Sequence, residues 1–374
     1  MKKVVILQKY LTPYRVPLFN AIARDPGVDL TLVYYGKPEA RRRWSAFADR
    51  DFAEVEARCI SIGAGYERNL ELPFSLMKDL ERIRPDMIIC APDSGGIAAF
   101  LYALKRTIRY AIWSEATPAT EGKVSFLKGQ LRQAIYRRAQ SFIVPGCLSE
   151  EYIRHYLPRA SFHYAPNTIE EGRFRLTTEE LSKKFANERL ILTFSGSLIE
   201  RKGILLLLEA YALLLKNHPE LRKTCLLRVM GTGPLDISAY QAYGIEMTGF
   251  CEQETYARHF QESHLFVLPS LHDNNPLAVV EGLFTGNVLV VSDGVGNYPE
   301  AVRGNGCVVP SNSVVVLFRT LERILALPRT ELLRMAAASL EIAREFSVER
   351  SMNAFLAAIH AERGFCTASS RQAG

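Results

Sequence analysis

The chain has 374 residues, 48% of them hydrophobic and 23% charged, which excludes a disordered or fibrous protein and suits two ordinary globular domains. No apolar run approaches the roughly 18–20 residues that a membrane-spanning helix needs, and the opening apolar stretch meets Lys9 too soon to read as a signal peptide. Seven scattered cysteines (59, 90, 147, 225, 251, 307 and 366), an odd number without a CxxC pair, point to a reduced, cytoplasmic protein with no structural metal.

The net charge of +6 is unevenly divided. Residues 1–175 hold 27 Lys/Arg and 19 Asp/Glu, a net of +8, and the remainder hold 19 and 21, a net of −2. A basic first half suggests an anionic neighbour.

In chain order, short apolar runs at 4–7, 30–34, 87–91, 111–113 and 142–144 read as buried strands. Helical periodicity lies between them at 16–23, 73–83, 97–105, 124–138 and 150–156. Residues 170–188 are polar and strand-poor, which suits a linker. The pattern then restarts with strands at 190–194, 226–230, 265–268, 288–291 and 307–309, and helices at 203–216, 237–243, 254–263 and 277–284. Three helices close the chain at 314–325, 330–345 and 348–361, and the tail 364–374 reads as disordered. Strands alternating with helices predict an α/β protein: two Rossmann-like doubly wound domains facing across a cleft.

The segment 269–282, PSLHDNNPLAVVEG, carries the most chemistry. It follows a buried strand and opens a helix. Asn274 and Asn275 suit the N-cap, and Pro276 the first helical position. The amides of Leu277, Ala278 and Val279 would then face outward, a ready site for a phosphate. Asp273 precedes those amides and Glu281 lies one turn into the helix, so two carboxylates that accept hydroxyl hydrogen bonds flank an anion pocket. This combination suits a nucleotide sugar. A glycosidase-like carboxylate pair would not call for the phosphate site. Lys202, after a strand and a Gly-containing turn, can be a solvated surface lysine or a group that neutralises a leaving diphosphate.

This stretch resembles the acid-x7-acid motif of retaining glycosyltransferases of family 4, the group 1 glycosyltransferases of GT-B fold. The resemblance continues through residues 194–203 (FSGSLIERKG), Gly231-Thr232-Gly233-Pro234-Leu235, Gly249-Phe250 and residues 293–300 (DGVGNYPE), and in the first half through residues 13–20 (PYRVPLFN) and Pro166-Asn167-Thr168. It implies transfer of a sugar from a UDP- or GDP-linked donor to a glycan acceptor, a lipid-linked one included, in making a cell-surface polysaccharide such as a lipopolysaccharide or exopolysaccharide. It implies that Lys202 and Arg201 hold the diphosphate, Asp273 the sugar and Glu281 the ribose, with Gly196, Ser197, Gly231, Gly233 and Phe250 along the donor. Many relatives carry Arg where this chain has Ser197, and a Gly-Gly pair near residues 12–15 that it lacks. Arg15, Asp93 and Glu115, each after a strand of the first half, are candidates for the acceptor side or for a sugar contact.

The resemblance also implies domains of residues 1–169 and 170–345, with a last helix at 346–364 crossing back to the first and a flexible tail at 365–374. No metal or cofactor is expected, the nucleotide sugar being a co-substrate. The basic segment 105–138, with eight Lys/Arg and only Glu115 and Glu121 as acids, suits either a helix lying on an anionic inner-membrane face or a core helix with a solvated basic face. Aromatic–basic interleaving for nucleic acid is missing. A sugar-nucleotide epimerase and a non-catalytic nucleotide-sugar-binding scaffold subunit are the alternative readings.

Overall fold

The structure is a computed structural model that describes residues 1–36, 49–63, 69–121 and 125–361. The first half builds a seven-stranded parallel sheet from β1 (Lys2–Gln8), β2 (Val28–Tyr34), β3 (Ala53–Glu56), β4 (Met87–Cys90), β5 (Arg109–Trp113), β6 (Ser141–Val144) and β7 (Phe162–Tyr164). Their order is 3-2-1-4-5-6-7. The central strand β1 shows why the sheet needs cover on both faces. Val5 and Leu7 point into one apolar cluster, and Val4 and Ile6 into another on the opposite side, as the two-residue period of a strand requires.

The second half repeats the plan with β8 (Leu190–Ser195), β9 (Cys225–Met230), β10 (Glu246–Gly249), β11 (Leu265–Leu268), β12 (Val288–Ser292) and β13 (Gly306–Val309). All are parallel, in the order 10-9-8-11-12-13. In both sheets the strand order reverses beside the first strand, at β1/β4 and at β8/β11. A crevice opens at such a switch point, outside the carboxyl ends of the strands.

Three strands escaped the periodicity reading: β3, β7 and β10. Each is a short strand at a sheet edge, with exposed or half-exposed residues such as Glu54 and Glu246 instead of an apolar run. An antiparallel hairpin of Ile60–Gly63 and Asn69–Leu72, a separate two-stranded sheet whose first strand is exposed throughout, also escapes that reading. The supposed linker is also more ordered than its polarity suggested. It holds helices Glu171–Phe174 and Thr178–Phe185, the second begun by a capping box between Thr177 and Glu180. Phe174, Leu181 and Phe185 are buried in the core of the second half. Residues 237–243 form only a 3-10 turn, Ser238–Tyr243. The predicted tail and Cys366 lie outside the described residues.

The last helix, Val348–His360, packs on the first half. Phe355 meets Trp113 edge to face at 4.9 Å between ring centres, and the Ser351 hydroxyl donates to Pro166 O at 2.5 Å. At its C-terminal end, Ile359 O accepts from Lys2 Nζ (2.9 Å) and Ala361 O from Arg109 Nη2 (2.8 Å). Cations there satisfy the last carbonyls and complement the helix dipole.

Candidate active site

Four loops at the carboxyl ends of the second sheet are stitched together by backbone hydrogen bonds. After β8, Gly196 N donates to Met230 O at 3.0 Å and Leu198 N to Thr232 O at 3.0 Å, which binds this loop to the turn after β9. The glycine at 231 is required by that contact: a β-carbon there would lie 1.9 Å from Gly196 O. Gly233 follows in the same turn. Gly196, Gly231 and Gly233 therefore bring two loops close together, and Ser197 sits half-buried between them.

The β8 loop then makes a single 3-10 turn, Glu200–Lys202, ended by Gly203 in the left-handed conformation. Arg201 O accepts from Leu271 N at 2.8 Å, tying this turn to the loop after β11. The result is a charge cluster. Lys202 Nζ is hydrogen-bonded to Asp273 Oδ2, and Arg201 Nη1 lies 3.6 Å from Asp273 Oδ1 and donates to His272 O at 3.1 Å. The Asp273 backbone is pinned in turn: its N–H donates to Gly294 O (2.8 Å), and its carbonyl accepts from Gly296 N (2.7 Å). Lys202 and Asp273 are 15% and 13% exposed, open enough to meet a ligand and too enclosed for a freely solvated pair.

Helix Leu277–Phe284 follows. Its start differs from the expectation in two ways. Pro276 is the N-cap and not the first helical residue, because the Asn275 side chain is buried against Asn297, whose Nδ2 donates to it at 3.3 Å and to Pro276 O at 3.2 Å. Val279 N donates back to Pro276 O at 3.2 Å. Leu277 and Ala278 therefore provide the two amides of the first turn that can meet an anion, and Val279 does not.

Glu281 is placed by a chain of hydroxyls that the sequence reading missed. Tyr256 OH donates to Glu281 Oε2 at 2.6 Å and is 2.8 Å from Ser195 Oγ at the end of β8. Burial pushes the Glu281 carboxyl up to about 7, with the Tyr256 hydrogen bond opposing the shift, and burial likewise pushes the Tyr256 hydroxyl well up. Tyr256 lies one turn before the buried Phe260 on helix Gln253–Glu262. At that spacing it reads as core, and nothing local marks it as a partner of residue 281.

A pH dependence follows. An acid whose carboxyl rises from 4.5 unfolded to about 7 folded contributes stability below pH 4.5, and that contribution is lost as pH rises to 7 and above. The loss is at most about 3 kcal/mol. Between pH 5 and pH 8, wild type should therefore lose stability relative to Glu281→Gln in urea titrations. Parallel pH profiles for the two proteins would contradict this account.

In the first half, Arg15 and Glu115 come together. Arg15 Nη2 is 2.8 Å from Glu115 Oε1, and its guanidinium lies over the Trp113 ring at 4.3 Å. Asp93 stands apart from them. It accepts from Gly95 N (2.9 Å) as the N-cap of helix Ser94–Arg106 and from Tyr35 OH (2.7 Å). Phe250 is exposed on the turn after β10. The two halves meet where Asn167 Nδ2 approaches Asn275 O at 3.5 Å and where Cys147 N donates to Glu300 Oε1 at 2.7 Å. Glu300 thereby caps the N-terminus of helix Cys147–Tyr156 from the other half of the chain. Among the described residues, no three His, Cys, Asp or Glu side chains gather as a metal-binding group.

Comparison with known proteins adds a partial family match and a fold. Residues 189–326 match the family model described as Glycosyl transferases group 1. No curated protein matches the chain. Among solved structures, the chain is similar to Anabaena Alr3699/HepE in complex with UDP and glucose, at 12% identity and a TM-score of 0.70, covering 96% of this chain and 99% of that one. It is similar to sucrose-phosphate synthase from Thermosynechococcus elongatus at 14% identity and a TM-score of 0.69, covering 95% and 97%. A mutant S. aureus TarM in complex with Fondaparinux, alpha-GlcNAc-glycerol and UDP gives 10% identity and a TM-score of 0.68, covering 96% and 100%.

The fold is GT-B. In this GT-B chain the Lys202–Asp273 cluster lies at the carboxyl ends of the second sheet, and the Arg15–Glu115 pair at those of the first.

Proposed function

We propose that the protein transfers a sugar from a UDP- or GDP-linked donor to a glycan acceptor with retention of configuration. The observation that carries this reading is the convergence of Lys202 and Arg201 on Asp273 just before the Leu277 and Ala278 amides. Two cations and a helix start form a cradle for a diphosphate. Lys202 neutralises the charge that grows on the departing phosphate. Asp273 and Glu281 take donor hydroxyls, the first from the sugar and the second from the ribose. A phosphate leaving on the face that the acceptor enters can itself accept the acceptor proton, so the reaction needs no strong protein nucleophile. The family match over residues 189–326 and the UDP-bound state of Alr3699/HepE and TarM support this assignment.

The same reading divides the chain into an acceptor-side domain at 1–169 and a donor-side domain at 170–345, and it gives Arg15 and Glu115 the acceptor hydroxyl or the donor sugar. A lipid-linked acceptor would bring the protein to an anionic membrane face. Among the described residues no helix is long and apolar enough to cross a membrane. Helix Phe126–Arg138 divides its apolar residues instead: Ile135 and Tyr136 are buried, while Phe126 and Leu127 are 77% and 80% exposed beside Lys128. Binding to phosphatidylglycerol vesicles that falls with salt, and with Phe126→Ser/Leu127→Ser, is the expected result. Undiminished binding by that variant would remove this surface from the account.

Thermal unfolding with UDP, GDP, CDP and ADP tests the donor site, since a ligand of the folded state raises Tm. One nucleotide should give a shift that is lost in Lys202→Ala and Glu281→Ala. Folded protein that shifts with none of them would overturn the transferase reading.

A further inference from the structure

A cavity of about 400 Å³ lies in the first half, away from the Arg15–Glu115 pair. It opens at the carboxyl ends of β1, β2 and β4, where Lys9, Tyr35 and Asp93 follow those strands. Glu71 of the hairpin and helix Phe126–Arg138 close its sides. Its position is the switch point of the first sheet, where doubly wound folds bind ligands, and its volume suits a small molecule or the end of a larger one.

Two residues of its lining each carry a buried polar atom that makes no hydrogen bond among the described residues: Glu71 at Oε1 and Tyr136 at its hydroxyl. Both residues are more than nine-tenths buried. The Tyr136 hydroxyl lies near Ser114 yet completes no hydrogen bond of normal geometry. Buried polar groups that make no hydrogen bond are uncommon and costly, so these two, the first ion-paired with Lys9 at 3.6 Å but not hydrogen-bonded, point to a ligand that supplies hydrogen bonds.

The charges on the lining decide the class of that ligand. Lys9 Nζ is 3.6 Å from Glu71 Oε1. Arg132 and Lys128 approach Glu121 at 2.8 and 3.8 Å. Asp93 is held by Tyr35 OH and Gly95 N. The three cations balance the three carboxylates. An amine entering the cavity meets Lys9, and an acid meets Asp93 and Glu71. A hydroxyl meets neither objection, because it donates to Glu71 and can either donate to or accept from Tyr136. Ile97, Leu131 and Tyr35 supply apolar wall for the faces of a ring.

We infer that this cavity is a binding subsite for an uncharged, polyhydroxylated ring, a neutral sugar unit of the acceptor. The word acceptor rests on the proposed transferase reading, whereas the cavity chemistry does not.

Saturation-transfer NMR on the full chain tests it. The probes are the neutral methyl glucoside, mannoside and galactoside, the cationic methyl glucosaminide, the anionic methyl glucuronide, and UDP and GDP as separate reporters. At least one neutral glycoside should bind more tightly than either charged one. That binding should vanish in Ile97→Trp, which fills the cavity from a partly exposed position. It should weaken about fivefold in Glu71→Gln, which exchanges a carboxylate acceptor for an amide donor, and in Tyr136→Phe, which removes the hydroxyl. The signal of whichever of UDP and GDP binds should persist in all three variants. Absence of neutral-glycoside binding, a preference for a charged glycoside, or binding that survives Ile97→Trp would overturn the inference. Nucleotide binding without glycoside binding would sink this subsite and spare the transferase reading, whereas glycoside binding by a protein that none of UDP, GDP, CDP and ADP stabilises would sink the transferase reading and spare the subsite.

Discussion

Replacing Lys202 with alanine is expected to lower turnover by about 10²–10³-fold, the effect of removing one preorganised donor from developing charge. Its ammonium lies on Asp273 at the point where a diphosphate would sit between the β8 loop and the start of helix Leu277–Phe284. A group that acts on the leaving phosphate stabilises the transition state more than the bound donor, so kcat should fall further than KM rises. The fold should survive, because Asp273 keeps Arg201 at 3.6 Å and its two backbone hydrogen bonds. Steady-state kinetics with the nucleotide sugar identified by thermal shift, together with a circular dichroism melt, separates the two effects. A kcat within a few-fold of wild type would remove Lys202 from the chemistry and leave it a partner for Asp273 alone.

Gly203→Ala should be among the most destabilising single-methyl additions in the chain. Gly203 has φ +69°, and a β-carbon there would stand 1.9 Å from Pro269 O. Gly244 is a matched control, with the same φ of +69° and nothing within 4 Å of the added carbon. In Gly244→Ala only the left-handed backbone is penalised, about 1 kcal/mol. In Gly203→Ala the backbone must also move away from the β11 loop, which strains the Arg201–Leu271 link and shifts Lys202 from Asp273. A loss of about 3 kcal/mol or more is expected, along with the nucleotide-induced rise in Tm. Urea titration of both variants checks this. Equal losses would mean that the Pro269 contact relaxes easily and that the site is not locked through it.

The fold class was legible because its signals are local. Apolar runs such as 87–91 and 288–291 are too short for buried helices and read as strands covered on both faces, and helical periodicity between them calls for parallel crossovers. The edge strands β3, β7 and β10 were not legible, since a half-exposed strand is made by the neighbour it pairs with. The helix Thr178–Phe185 was legible in principle through its Thr177-x-x-Glu180 pattern, but the polarity of the segment outweighed that signal.

For the candidate site, sequence by itself determined the inventory: Lys202 after a glycine-bearing loop, Asp273 before a helix start, and Glu281 one turn inside. Only the tertiary structure decided the pairings. Lys202 reaches Asp273 across 71 positions because β8 and β11 are neighbours in the sheet. Tyr256 reaches Glu281 across 25 positions because their helices pack side by side. Asp93, one more strand-end acid to the sequence, is a helix cap held by Tyr35. Val279 lost its outward amide when Asn297 took hold of Asn275 and Pro276. The physical reason is range. Periodicity, capping and turn chemistry act over a few residues, whereas hydrogen-bond partners and the burial that shifts a carboxyl depend on which distant elements the sheet order brings together.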